Sequence, residues 1–423
     1  MQAPTGPLAR RLGTFDAVVI GLGSMIGAGI FAAFAPAAAA AGSGLLIGLA
    51  LAAVIAYCNA VASAQLAAVY PTSGGTYIYG RERLGQWAGF TAGWGFVIGK
   101  TASCAAMALT FASYAIPGSI WAQRVVAIVA VIALAALNYR GITRTAQLTR
   151  ILVIISIAAL AAVVVGIAVG GHSGLGQIGG GSALVSAGPY GILQSAGLLF
   201  FAIAGYARIA TLGEEVRDPQ RTIPRAIPIA LAITVIIYMI VGVAALSAAG
   251  PELLAHSPAP LSAAVRAADA PELAVVVRIG AVVASLGSLL SLIAGVGRTS
   301  LAMARNRDLP GWLSAVHPRF QVPHHAEIAV AVVVCIVVAL VDLRGVIGFS
   351  SFGVLIYYAT ANASAFTQPA QDRRWPRALN VLGVVGCLVL VATLPLAAVV
   401  AGLVMFAVGL GGRALVLLLR RRR

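Results

Sequence analysis

Long apolar runs, separated by short segments rich in Pro, Gly and charge, fill the chain from end to end. A helix that spans a bilayer needs about 20 mostly apolar residues. The runs, bounded in this way, predict membrane-spanning helices, numbered spans 1 to 12, near residues 15–40, 44–69, 86–115, 122–139, 147–170, 187–213, 225–249, 272–302, 325–341, 345–367, 377–394 and 396–418. Little more than Pro395 separates the last two, which predicts a tight hairpin.

The composition supports a membrane protein. Hydrophobic residues make up 60% of the chain and charged residues 9%, and the mean hydropathy is +0.98. Soluble domains carry roughly 25% charged residues, so this chain has too little polar surface to face water on all sides. A short polar arm precedes a full-length span without a small-residue cleavage site, which predicts that no signal peptide is removed.

The formal net charge of +16 would suit nucleic acid, but the distribution of the arginines along the chain argues against it. With the N-terminus in the cytoplasm, most loop arginines fall on the cytoplasmic side of twelve spans, as the positive-inside rule requires. The outer side holds only Arg124, Arg266, Arg278 and Arg344. We therefore expect a multi-pass inner-membrane protein with both termini cytoplasmic, and Arg420 to Arg423 as a topology anchor that meets anionic headgroups.

Two spans carry glycine-dense interruptions at corresponding positions of the two halves of the chain. Residues 21–31 interrupt span 1, and residues 200–211 interrupt span 6. One such stretch is more often close helix packing. Two matched breaks favour a midplane binding site, because irregular backbone within a bilayer is tolerated only inside protein or around a cavity. Broken helices offer N–H groups for a carboxylate and carbonyls for an ammonium, which suits an amino acid.

Enzyme and metal chemistry find little support in the sequence. The five histidines lie in connecting segments and form no pair at metal-ligand spacing. The spans offer neither a Ser–His pair nor a mid-span acid pair for hydrolysis. A channel would be expected to show a repeated pore motif or a charged ring. We therefore expect no enzyme activity, no metal and no cofactor.

Several motifs together resemble the amino acid–polyamine–organocation permeases. They are residues 23–31 in span 1, 70–79 after span 2, 200–206 with 214–224 around the end of span 6, and 298–310 at the end of span 8. Each motif is weak alone, but they occur in order from residue 15 to about 370. The match as a whole is therefore specific.

This resemblance implies an all-α integral membrane fold of twelve helices, a LeuT-like five-plus-five inverted repeat with helices 1 and 6 broken. The implied organisation is a cytoplasmic arm at 1–14, repeats at 15–170 and 187–367, helices 11 and 12 at 377–418, and a basic tail at 419–423. It also implies a secondary active transporter that works by alternating access, with an amino acid as its substrate.

The resemblance further implies roles within the two breaks. The N–H groups of Ala28 and Gly29 would hold the substrate carboxylate, and the carbonyls of Met25, Phe201 and Ala204 would hold the α-amino group. The Phe201 ring would be a gate, although plain core packing is the alternative. The predicted substrate-binding set is Ser24, Met25, Ile26, Gly27, Ala28, Gly29, Lys100, Phe201, Ala202, Ile203, Ala204 and Gly205.

Two positions depart from the family pattern and concern the coupling ion. Many proton-coupled members carry a lysine in helix 5, where this chain has Ser156. That serine would either help to coordinate Na⁺ or simply pack between helices. Lys100, the only lysine in the chain, lies near the middle of span 3, where a cation costs at least about 3 kcal/mol. It would contact substrate or carry a proton, unless it snorkels to the interface.

The charge pattern favours a neutral amino acid. Acidic residues lie at span ends and in loops, and helix 8 has no aromatic residue from Glu272 to Pro310 to cage a cation. Acidic amino acids are a further alternative for the substrate, and a basic amino acid or polyamine antiporter is the alternative for the function. A nutrient sensor on the same fold is the alternative of another class. The sequence leaves open the coupling ion, proton or Na⁺, and whether the protein forms oligomers.

Overall fold

The computed structural model describes residues 12–71, 74–116, 118–140, 145–170, 178–179, 181–210 and 216–421. Within these ranges the regular structure is helical, apart from one isolated bridge between Leu12 and Val216. The predicted cytoplasmic arm lies mostly outside the described residues, as do the last two residues of the predicted basic tail.

All twelve predicted spans fall on helices. The helices of the first half are α1 (Thr14–Met25), α2 (Ala28–Ala32), α3 (Phe34–Ala41), α4 (Leu45–Val69), α5 (Thr76–Leu84), α6 (Gln86–Ala115), α7 (Ile120–Tyr139), α8 (Thr145–Val169) and α9 (Gly181–Val185). Those of the second half are α10 (Gly188–Ile203), α11 (Ala207–Ala210), α12 (Pro219–His256), α13 (Pro260–Ala267), α14 (Leu273–Arg305), α15 (His324–Leu340), α16 (Leu343–Phe366), α17 (Arg377–Thr393) and α18 (Leu396–Arg421).

Ten helical segments of the described chain are long and apolar enough to cross a membrane. Two further apolar helices, α15 and α17, are shorter and correspond to predicted spans 9 and 11. The expectation of an all-helical, multi-pass membrane protein is therefore confirmed. The predicted hairpin is also present, because α17 ends at Thr393 and α18 begins at Leu396.

The outer surface of the bundle is apolar, as a lipid solvent requires. On α7, the side chains of Val125, Val129 and Ile132 are 57–60% exposed, an arrangement that water would disfavour. The interior instead relies on small residues that let backbones approach. A Cβ at Gly353 of α16 would lie 2.6 Å from the carbonyl oxygen of Gly95 in α6, so at this point the backbones of the two helices are in direct contact.

Some helix boundaries differ from the prediction. Span 7 was expected to end near residue 249, but α12 continues to His256 across a non-helical Gly250 with φ of 67°. The short helices α5 and α13 lie in segments predicted as connections. They were missed because a search for apolar runs long enough to span a bilayer passes over helices of eight or nine residues.

A cluster of charges around Asp308 ties four elements together beyond the end of α14. The Asp308 carboxylate is 5% exposed and accepts hydrogen bonds from the Tyr77 hydroxyl and the Arg81 guanidinium, each at 2.8 Å. It also pairs with Arg413 of α18, whose guanidinium lies 4.6 Å from the centre of the Phe90 ring of α6. The cluster therefore fixes α5, α6 and α18 to the end of α14.

We expect Asp308→Asn to destabilise the protein strongly. The change leaves Arg413 buried and Arg81 largely buried without their counter-ion, and breaking a buried pair costs about 3–5 kcal/mol. Thermal unfolding in detergent would measure the loss. Asp218→Asn is the matched control, because Asp218 and Arg221 form a pair that is 54% and 78% exposed and such pairs contribute below about 1 kcal/mol. Equal unfolding temperatures for the two variants would contradict this role of Asp308.

Candidate binding site between the broken helices

The first break consists of two residues, Ile26 and Gly27, which lie between α1 and α2. Ile26 has φ −80° and ψ 66°, and Gly27 has φ −116° and ψ −147°, so neither continues the helix. Position 27 needs glycine, since a Cβ on Gly27 would lie 2.8 Å from the Ser288 hydroxyl of α14. The break places Ala28 and Gly29 in the first turn of α2, where backbone N–H groups have no acceptor within the helix.

The second break is a tight 3₁₀ turn, Ala204–Tyr206, between α10 and α11. It lies against the first broken helix at close backbone contacts. A Cβ at Gly205 would lie 2.2 Å from the carbonyl oxygen of Ser24, and a Cβ at Gly29 would lie 2.5 Å from the Cα of Ala202. The two interrupted helices therefore meet at two points where only glycine fits.

Side chains from other helices satisfy the carbonyls that the breaks expose. The Tyr238 hydroxyl of α12 donates to the carbonyl of Met25 at 2.6 Å and to that of Ala202 at 3.3 Å. The Ala204 carbonyl accepts from the Tyr358 hydroxyl of α16 at 3.1 Å and from the Lys100 amine of α6 at 3.5 Å. Two of the three carbonyls predicted to hold an α-amino group thus already have donors from the protein.

A cavity opens beside the breaks, between α1, α6, the α10–α11 turn and α14. Its walls combine serine and threonine hydroxyls with three cationic side chains, and none of the described residues that line it carries a carboxylate. The lining residues are Ser24, Phe96, Lys100, Ser103, Met107, Phe201, Ala204, Gly205, Ala207, Arg208, Ser288, Ser291, Leu292, Gly295, Arg298 and Thr299.

The predicted site residues fall into two groups. Five of them line this cavity, namely Ser24, Lys100, Phe201, Ala204 and Gly205. The other seven are buried in or beside the two breaks, and they are Met25, Ile26, Gly27, Ala28, Gly29, Ala202 and Ile203. The breaks thus supply the backbone of the site, while α6 and α14 supply most of its side chains.

Lys100 faces the cavity rather than the membrane surface. Its side chain is 7% exposed, and its amine reaches the Ala204 carbonyl of the second break. Ser156 is also buried, and its hydroxyl donates to the Leu152 carbonyl within its own helix at 2.8 Å. That bond is typical of a packed helical serine, and a role in sodium binding stays a prediction.

Two cavity residues, Arg208 and Arg298, were not among the predicted site residues. In the sequence both arginines lie near the cytoplasmic end of a predicted span, where an arginine can snorkel to the interface. Both side chains line the cavity, and Arg298 interacts electrostatically with Glu327 at the start of α15. The signal available in the sequence was an arginine inside an apolar run, which also fits snorkelling.

The opposite end of the site is closed by a hydrogen-bonded network around Tyr114 at the end of α6. Its hydroxyl donates to the Phe31 carbonyl of the first span at 2.9 Å and accepts from the Leu261 N–H of α13 at 3.3 Å. Arg278 of α14 donates to the carbonyls of Tyr114 and Ala115 at 2.8 and 2.9 Å. The cavity extends away from this seal, toward Arg298 and the far end of α14.

Comparison with known proteins agrees with this architecture. Residues 12–413 match the family model described as amino acid permease. An uncharacterized transporter of Mycobacterium tuberculosis is 59% identical over 100% of this chain and 96% of its own length. A branched-chain amino acid permease of Bacillus subtilis is 27% identical over 95% and 92%. A methylthioribose transporter of the same organism is 27% identical over 86% and 81%.

We expect Gly205→Ala to destabilise the contact between the two breaks. The added methyl would overlap the Ser24 carbonyl, which belongs to the backbone and cannot rotate away, and overpacking of this kind costs about 1–3 kcal/mol. Thermal unfolding in detergent would detect the loss. Gly411→Ala in α18 is the matched control, since a Cβ there meets nothing within 4 Å and alanine favours a helix. Equal unfolding temperatures for the two variants would contradict the close contact.

Proposed function

The chain belongs to the amino acid permease family, and from that premise we propose that it is a secondary active transporter that carries an amino acid across the inner membrane. The single observation that supports this most is the pair of interrupted helices meeting beside a polar cavity. A break in a membrane helix needs a compensating role, and a binding site between two such breaks supplies one.

The proposed substrate position follows from the polarity of the breaks. The carboxylate lies at the N–H groups of Ala28 and Gly29, and the ammonium lies toward the carbonyls of Met25, Phe201 and Ala204. Phe201, which is 8% exposed and lines the cavity, acts as a gate. In this arrangement the side chain of the substrate extends into the cavity between α6 and α14.

Alternating access is the proposed mechanism. It uses a LeuT-like fold with inverted repeats at 15–170 and 187–367 and twelve spans in all. With both termini in the cytoplasm, the Tyr114 seal lies on the outer side and the cavity faces the inner side. The conformation described here then corresponds to an inward-facing state. Closure of the cavity and opening of the seal complete the transport cycle.

The charge of the cavity supports a neutral amino acid as the substrate. Lys100, Arg208 and Arg298 all contribute to its walls, and none of the described lining residues carries a negative charge to balance a cationic side chain. Glu327 interacts with Arg298, and acidic amino acids remain the second choice. The coupling ion is a proton or Na⁺, with Lys100 and Ser156 as the residues to examine.

We expect purified protein in liposomes to catalyse counterflow of labelled neutral amino acids. Unlabelled neutral amino acids should compete, whereas arginine, lysine and putrescine should not, because the cavity repels a second positive charge. Gly29→Val is the non-transporting control, since its side chain would enter the α10 backbone at Ala202.

Three outcomes would contradict parts of this proposal. Competition by cations alone would indicate a basic amino acid or polyamine antiporter. Competition by acidic amino acids alone would indicate that the substrate is an acidic amino acid. Binding of an amino acid without flux would indicate a nutrient sensor rather than a transporter.

A further inference from the structure

The carbonyl oxygen of Ala204 is fully engaged. A carbonyl oxygen has two lone pairs, and here the Tyr358 hydroxyl takes one while the Lys100 amine takes the other, at 3.1 and 3.5 Å. Any third donor must displace one of these two. Tyr358 is fixed by ring contacts with Phe200 and Tyr206, whereas Lys100 has a flexible four-carbon stem. Lys100 is therefore the donor that can leave.

The group that Lys100 presents is the same as the one that an amino acid would bring. Both are primary ammonium groups with three N–H donors. Under the proposed function, the substrate ammonium approaches the carbonyls of the two breaks, and that of Ala204 is one of them. The lysine thus occupies, in the empty protein, a place that the substrate needs.

The surroundings disfavour two ammonium groups at once. Among the described residues, charged and titratable side chains reach this part of the protein from α6, the α10–α11 turn, α11, α14 and α16, and they are Cys104, Tyr206, Arg208, Arg298, Tyr357 and Tyr358. None of these six is a carboxylate, and Glu327 lies beside Arg298 rather than in the cavity wall. A displaced lysine relieves the repulsion by losing its proton, since a nearby positive charge disfavours the protonated form of an amine.

We propose that Lys100 is a tethered substitute for the substrate ammonium, and that substrate binding expels one proton from it. The inference rests on the proposed function. In the step, the substrate N–H replaces the lysine N–H on the Ala204 carbonyl, the lysine ammonium becomes a neutral amine, and its proton passes to water in the cavity. No other bond changes.

The direction of coupling follows from this exchange. The loaded transporter carries an amino acid and an uncharged lysine, while the empty transporter carries the protonated lysine. Each cycle therefore moves one amino acid one way and one proton the other way. The protein is an amino acid–proton exchanger rather than a symporter.

Liposomes that enclose a pH-sensitive dye test this directly. With the membrane potential clamped by valinomycin and potassium, a neutral amino acid added outside should raise the internal pH, with about one proton leaving for each amino acid that enters. Acidification of the interior would mean symport and would overturn the inference. Counterflow without any proton movement would also overturn it, while leaving the proposed amino acid transport intact.

Two substitutions at Lys100 separate this role from a structural one. Lys100→Met removes the competing ammonium and should bind substrate more tightly, whereas Lys100→Arg keeps a charge that cannot be lost and should bind more weakly. Both should lose proton movement. For the wild type, the substrate concentration that half-saturates transport should fall by up to about tenfold for each unit by which the pH rises, while the lysine is charged. For Lys100→Met, this concentration should not change with pH below the range in which the substrate amine titrates.

Weaker binding by Lys100→Met, with proton movement retained, would contradict the proposal and indicate that the lysine holds the substrate instead. If no amino acid tested gives counterflow, the result would contradict the proposed function, and this inference would fail with it. The two failures are thus distinguishable in one set of liposomes.

Discussion

Backbone hydrogen bonding in a medium without water is the constraint on which this structure depends. Each carbonyl that a broken helix leaves open must find a donor inside the protein. Tyr238 and Tyr358, from α12 and α16, supply donors to both breaks at 2.6 and 3.1 Å. Two helices of the later half, α12 and α16, thus hold the irregular segments in place, and their donors make the breaks beside the cavity tolerable.

The sequence predicted the helices and the breaks but not how they are satisfied. Apolar runs located the ten helical segments long enough to span a membrane and the two shorter apolar helices, and glycine density located the interruptions at Gly27 and Gly205. The two tyrosines lie inside ordinary apolar runs, and no local spacing links Tyr358 to a carbonyl 154 positions earlier. The cluster at Asp308 was not predicted for the same reason, since the partners of Asp308, Arg81 and Arg413, lie on distant parts of the chain.

The cavity charges show a second limit of sequence reading. Positive-inside counting is reliable for loops, but it assigns any arginine near a span end to the interface. Arg208 and Arg298 instead line the cavity with Lys100. An arginine in an apolar run can either face an internal cavity or reach the membrane interface. Which of the two occurs depends on the rotation of its helix.

The close approach of the two broken helices has a mechanical consequence. Close backbone contacts at Gly29 and Gly205, on either side of the breaks, hold the two helices directly against each other. They also leave almost no space, so a tilt of one broken helix must carry the other with it. The pair should therefore move as one rigid lever, with its pivots at the glycines.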